Sequence, residues 1–560
     1  MSVATRRDLS KLERSARTFG AGLAGEKVAL IARLEPRQFA EPKLLLRFHE
    51  ALSLIRAYPD DEQVLEQVTA ALERFGERAD VGRHRKQLVD SGVAGTAIHF
   101  PFHWATACWL ARRWPERLRI DWPALTTHAA LERVLPRLLG WAEAVEPGAT
   151  RARLRQYLEL FERPGEADGT FLVRRFQGMR AAPSLREHFF ESLELPLVLL
   201  PAPGGPTRTS AALSGAPLAW QRTPLLRTRP NFRRGIDIPP LSVRWVRGTD
   251  ADRIIDLARV AMISRNRDLD AIKHGNRDDV RIVDAGEGLS FACIGVLPEQ
   301  RSLLETLYVF LVIKNGVPIG YYQAALLFGC AELNFNIFPT WRGGEAASIY
   351  VRGAAMVRHL FGVDTFAVPP YQLGHENEEA LSTGAFWFYA KLGFRPADRA
   401  IRSVLGVELA ALRADPGHRS ARSVLRKLAN GYLYFQLGRP RDDVAGKLSL
   451  DAIAHAVSRM LNQRYGSDRE RATKICQRQA QTLLGVSPSR WSTAERLAWE
   501  RWAPLVLSLP GFELWPAHER RAVAALIRAK GGLVEQRFNE KLDHHARLRR
   551  SILALARSHE

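Results

Sequence analysis

A chain of 560 residues, 46% hydrophobic and 25% charged, has ordinary globular composition but is too long for one hydrophobic core, and the usual length prior divides it into roughly three or four domains. Its net charge of +21 comes from an arginine surplus, 69 Arg against 12 Lys, spread along the chain without a long basic block, which argues against nucleic acid as the physiological partner. Cys108, Cys293, Cys330 and Cys476 lie far apart without metal-ligand or disulfide-framework spacing, and no apolar run has the length of a signal core or a membrane span, so the expectation is a cytoplasmic chain with reduced thiols and no membrane partner.

Residues 1–195 read as a mainly helical domain, with apolar positions three and four apart over 43–56 and 61–75. Leu45, Phe48, Leu52 and Ile55 form one such face, expected to pack in a bundle. His99 and His103 stand four apart, the spacing of a helical metal pair, but Pro101 between them argues against a regular helix, so no metal is expected there. Residues 196–240 turn to Pro, Gly, Ser and Thr and read as a linker.

After the linker the pattern changes. Residues 241–246 resemble a short strand, and Thr249 and Asp250 open an amphipathic helix through Ile254, Ile255, Leu257 and Ala258. Residues 307–313 and 317–327 read as strands joined by an Asn315-Gly316 turn, and a third strand covers 331–338. The run Arg342-Gly343-Gly344-Glu345-Ala346-Ala347 enters an apolar helix that ends at Gly362, followed by a short strand at 364–368 and a helix that closes on Tyr389 and the exit Leu392-Gly393-Phe394. Beyond about residue 440 the pattern returns to helices in a markedly basic region, 441–560.

The segment 382–394 and the element order before it resemble the GNAT superfamily of acyltransferases over about residues 241–405, within a domain taken as 241–440. The resemblance implies an α/β (α+β) fold, a GNAT-like mixed sheet with flanking helices, here set between mainly helical N- and C-terminal regions. It implies an acyl-CoA co-substrate, acetyl-CoA or another acyl-CoA, and an amine acceptor, small molecule or protein, that the sequence does not identify. Tyr389 matches the family tyrosine that protonates the departing thiolate, a role a phenol with an ordinary pKa near about 10 can fill at neutral pH. Arg342, Gly343, Gly344, Glu345, Ala346 and Ala347 match the turn whose backbone N–H groups hold the CoA pyrophosphate at a helix N-terminus. Glu345 stands where the family has Gly, and Leu381 and Ser382 occupy the zone of a CoA-contacting Asn, with Asn377 further away.

On the third strand Glu332, Asn334 and Asn336 alternate with Leu333, Phe335 and Ile337, so three polar residues share one face, as expected of a strand lining a wet cleft. Glu332 is the candidate base for the acceptor ammonium, and Glu376, Glu378 and Glu379 read as cap and first-turn charges of the helix that follows. Two other functions use the same elements: a binding module for protein or RNA that has lost CoA chemistry, and an aminoacyl-tRNA-dependent transferase.

Overall fold

The computed structural model describes residues 3–20, 22–125, 129–139, 151–226 and 228–557. Residues 1, 2, 21, 126–128 and 140–150 of the expected helical region, Arg227 of the linker and residues 558–560 of the basic region lie outside the described residues. The protein is of mixed α/β class, with one large sheet and helical ends, and it divides into two compact units. No helix among the described residues is long and apolar enough to cross a membrane.

Residues 1–225, 253–274 and 314–318 form one unit. Its first helices bury Leu45, Phe48, Leu52 and Ile55, each no more than 1% exposed, so the face expected from their spacing is core. A small antiparallel sheet joins β1 (Ile98–Phe100), β2 (Leu118–Ile120) and β3 (Leu197–Leu199) in the order β1-β3-β2. His99 lies in β1 and His103 precedes the helix Trp104–Arg113, so no helix carries the pair.

Residues 226–252, 275–313 and 319–560 form the second unit. Its strands are β4 (Ser242–Val246), β5 (Gly275–Gly286), β6 (Leu289–Val296), β7 (Thr306–Lys314), β8 (Val317–Leu327), β9 (Cys330–Ile337), β10 (Thr365–Val368), β11 (Arg395–Pro396) and β12 (Leu433–Gln436). They lie in the order β11-β12-β10-β9-β8-β7-β6-β5-β4. Asn315 and Gly316 both take positive φ, 48° and 80°, the two-residue turn that their pairing in sequence implies.

β5 and β6 were not among the strands expected from sequence. β5 hides behind its charges: Arg277, Asp278, Asp279, Arg281 and Asp284 interrupt its apolar alternation. Asp279 and Arg281 are nevertheless 0% and 2% exposed: Tyr308 donates to Asp279 at 2.6 Å and the Glu535 N–H at 3.0 Å, while the Arg281 guanidinium donates to Gln536 Oε1 and lies over the Tyr308 ring. β6 is apolar but for Ser290 and buried along its length, a pattern without period.

Six helices, from Leu450–Tyr465 to Ala546–Arg557, close the chain around a core that includes Trp499, Trp502, Phe538 and Ile552. Lys530 and Glu535, 2.6 Å apart and buried, tie this bundle to the sheet through the Glu305 carbonyl and Asp279. A pair desolvated to this degree depends on its remaining hydrogen bonds, so the bundle and sheet are held in one register.

Candidate functional site

β9 and β10 run parallel and pair at Cys330 with Thr365, Ala331 with Phe366, and Glu332 with Ala367, where the ladder stops. β9 continues to Ile337, still paired with β8 through Gly320 on its other side. The Phe338 N–H donates to the Ile319 carbonyl at 2.9 Å, so by alternation the backbone groups of Phe335 and Ile337 face away from β8, into the gap that β10 leaves. Gln372 Nε2 donates to the Phe335 carbonyl at 2.7 Å and Arg342 Nε to the Ile337 carbonyl at 2.9 Å. A pocket of about 230 Å³ occupies the split.

Tyr389 stands at the far wall of this pocket, on the short helix Ala385–Ala390. Gly384, at φ 65°, separates this helix from Glu378–Thr383, and Gly393, at φ 103°, lets the chain turn so that the Leu392 and Phe394 N–H groups both return to the Tyr389 carbonyl. The tyrosine ring packs edge-on against Tyr350 and Phe388, at 5.3 and 5.1 Å between ring centres. Burial pushes the Tyr389 phenol well above its ordinary pKa, and a hydrogen bond with Gln372 offsets part of the rise. The hydroxyl therefore keeps its proton throughout the neutral range.

The turn before the crossover helix Ala346–Phe361 borders the same pocket. Gly343, at φ 77°, has open space where a Cβ would stand. Ile349 N–H makes the first return bond, to the Glu345 carbonyl, which leaves the N–H groups of Ala346, Ala347 and Ser348 without intrahelical partners. Of the six turn residues Arg342 and Ala346 line the pocket, while Gly343, Gly344, Glu345 and Ala347 complete the turn beside it. Glu345 is the residue before the helix, and only 9% of it is exposed. Arg342 reaches Glu379 at 2.7 Å and Asn336 Oδ1 at 3.3 Å.

Glu332 is not in this pocket. It lines a second cavity of about 360 Å³ with Glu305, Tyr432, Lys447 and Asp451. The Tyr432 hydroxyl donates to it at 3.0 Å. Burial raises the Glu332 carboxyl above the ordinary range; Tyr432 opposes the rise and neighbouring Glu305 adds to it. Asn336 at the split lies four positions further along the strand than Glu332, about 13 Å at the usual rise.

The split therefore gathers Tyr389, Arg342 and Ala346 and leaves Glu332 outside. Gln372, absent from the residues singled out by sequence, joins the split strand to the phenol; it sits in the four-residue helix Pro370–Leu373, too short to carry a periodic signal. Asn377 also lines the pocket, with its side chain accepting from Ala380 N–H as the cap of the helix Glu378–Thr383. Glu378 and Glu379 occupy that helix's first turn, as their position before it suggests. Compared with protein families, with curated proteins and with solved structures, the chain matches none.

Proposed function

We propose that this protein is an acyl-CoA-dependent N-acyltransferase, in the simplest case an N-acetyltransferase, with a GNAT-like sheet at its centre. The observation that carries the reading is the parting of the parallel strands β9 and β10 beside a buried, protonated phenol and a helix N-terminus. The N–H groups of Ala346, Ala347 and Ser348, together with Arg342, suit a pyrophosphate, and nothing crowds the turn at Gly343. Glu379 must release Arg342 for this, a small cost for an exposed pair, about 0–1 kcal/mol. The four unpaired cysteines suit a reducing compartment such as the cytoplasm.

The co-substrate supplies an acyl group activated as a thioester. The chain supplies the rest. Backbone N–H groups of Phe335 and Ile337 face the split and can donate to the acyl oxygen as negative charge builds on it. The acceptor nitrogen bonds to the acyl carbon, the carbon–sulfur bond breaks, and Tyr389 gives its proton to the sulfur. The nitrogen's proton leaves to water at the pocket mouth, and water returns one to the phenol. Burial keeps the phenol protonated, and the same desolvation raises the basicity of a thiolate that leaves beside it, so the proton passes between two groups buried alike.

Thermal-shift titration with acetyl-CoA tests the reading, since a ligand of the folded state raises its apparent stability. Binding is expected, and Tyr389→Phe should keep that binding while kcat falls by about 10²–10⁴-fold. Absence of a shift up to millimolar acetyl-CoA overturns the proposal. It favours instead a binding module without CoA chemistry, the reading to which the buried Glu345 and the Arg342–Glu379 pair lend support.

A further inference from the structure

The two faces of β8 and β9 differ. On one, Tyr322, Ala324, Leu326, Ala331, Leu333 and Phe335 are buried, and Tyr350 and Phe388, from the helices that flank the split, pack on Phe335. On the other, every residue from Tyr321 to Leu327 and from Glu332 to Asn336 is half-exposed. Cross-strand pairing sets Tyr321 against Asn336, Gln323 against Asn334 and Ala325 against Glu332. The result is a polar row, half open to solvent, on two antiparallel strands inside a nine-stranded sheet.

The row has a cavity at each end. Asn336 opens into the split with Tyr389, and Glu332, about 13 Å away along the strand, opens into the second cavity. That second cavity holds the carboxylates of Glu305, Glu332 and Asp451 against a single cation, Lys447, whose ammonium is 3.2 Å from Asp442. We infer that the row is an acceptor groove for an elongated amine with two or more cationic groups, its acylated nitrogen at the split and a second ammonium held by Glu332 and Glu305.

Glu332 then serves as the distal anchor rather than as the base at the reacting nitrogen, a role its separation from Tyr389's pocket does not suit. Burial raises the carboxyls of both Glu332 and Glu305, with Lys530 opposing part of the rise at Glu305 and Tyr432 part of that at Glu332, and a cation bound between the two carboxylates relieves what remains. The nitrogen's position at the split rests on the acyltransferase reading; the cation site at Glu332 does not. The same chemistry is offered by a free linear polyamine and by a lysine side chain in a basic peptide.

Calorimetric titration of the full chain with spermine, with a short lysine-rich peptide and with butylamine, all without acyl donor, tests the groove. Spermine or the peptide should bind at least tenfold more tightly than butylamine, and whichever of the two binds more tightly identifies the source. The double variant Glu305→Gln, Glu332→Gln should lose at least tenfold of that affinity while Tyr389→Phe keeps it. Asn334→Leu, which fills the middle of the row and removes one hydrogen bond to the Glu332 carboxylate while keeping its charge, should weaken the long amine and leave butylamine unchanged. Equal affinity for long and short amines, or an unchanged double variant with wild-type thermal stability, overturns the inference. If the polycation binds and depends on Glu332 but no acyl group passes to it from acetyl-CoA, the groove stands and the acyltransferase reading alone falls.

Discussion

Asp543 offers a direct test of how the C-terminal bundle is held to the sheet. Its carboxylate accepts the Gly329 N–H at 3.1 Å, at the turn between β8 and β9, and Asn539 Nδ2 at 3.0 Å. Burial raises its pKa from 3.8 to about 6, against the opposing pull of the Gly329 N–H, Arg549 and Asn539. A carboxyl with a raised folded-state pKa binds its proton more tightly folded than unfolded, so its contribution to stability falls as pH rises from about 4 through 6. The whole shift corresponds to about 3 kcal/mol at pH 8 and to about 1 kcal/mol at pH 4.5. Asp543→Asn keeps the shape and an acceptor for Gly329 but removes the charge. Urea unfolding of both proteins at the two pH values should show the variant more stable by up to about 3 kcal/mol at pH 8, with the gap shrinking to about 1 kcal/mol at pH 4.5. A gap that is constant or widens toward acid refutes the reasoning, because a desolvated charge would then not be the cause.

Two further substitutions probe the site's framework. Gly353→Ala places a Cβ 2.8 Å from Cε2 of Tyr322, a ring with no exposed surface. The overpacking cost of about 1–3 kcal/mol should exceed the gain in helix propensity of about 1 kcal/mol, so thermal unfolding should shift downward; an upward shift would mean the crossover helix seats less tightly on the sheet than described. Glu379→Gln releases Arg342 from its 2.7 Å partner, and acetyl-CoA affinity should rise by about fivefold, for a pair worth about 1 kcal/mol. Weaker binding, measured by calorimetry, would separate Arg342 from the anion.

Short-range patterning made several elements readable from residues alone. The Asn315-Gly316 turn, the helix ending at Gly362 and the Leu392-Gly393-Phe394 exit each depend on local backbone chemistry, and all three appear where expected. So does the alternation of β9, whose polar face follows from the two-residue period of a strand. β5 was hidden because its buried charges are matched by groups far along the chain, Tyr308 and Glu535.

The sequence by itself determined which residue types could do chemistry: a phenol before a helix exit, an arginine before a glycine turn, and a carboxylate on a polar strand face. Their grouping was decided by the tertiary structure. Whether Glu332 meets Tyr389 depends on where the ladder between β9 and β10 ends, and that depends on pairing between segments more than thirty residues apart. Strand alternation sets the face on which a side chain lies, whereas its partner along the strand is set by the register of the neighbouring strand. By that register Tyr389, Arg342 and Gln372 share the split, and Glu332 stands at the other end of the row.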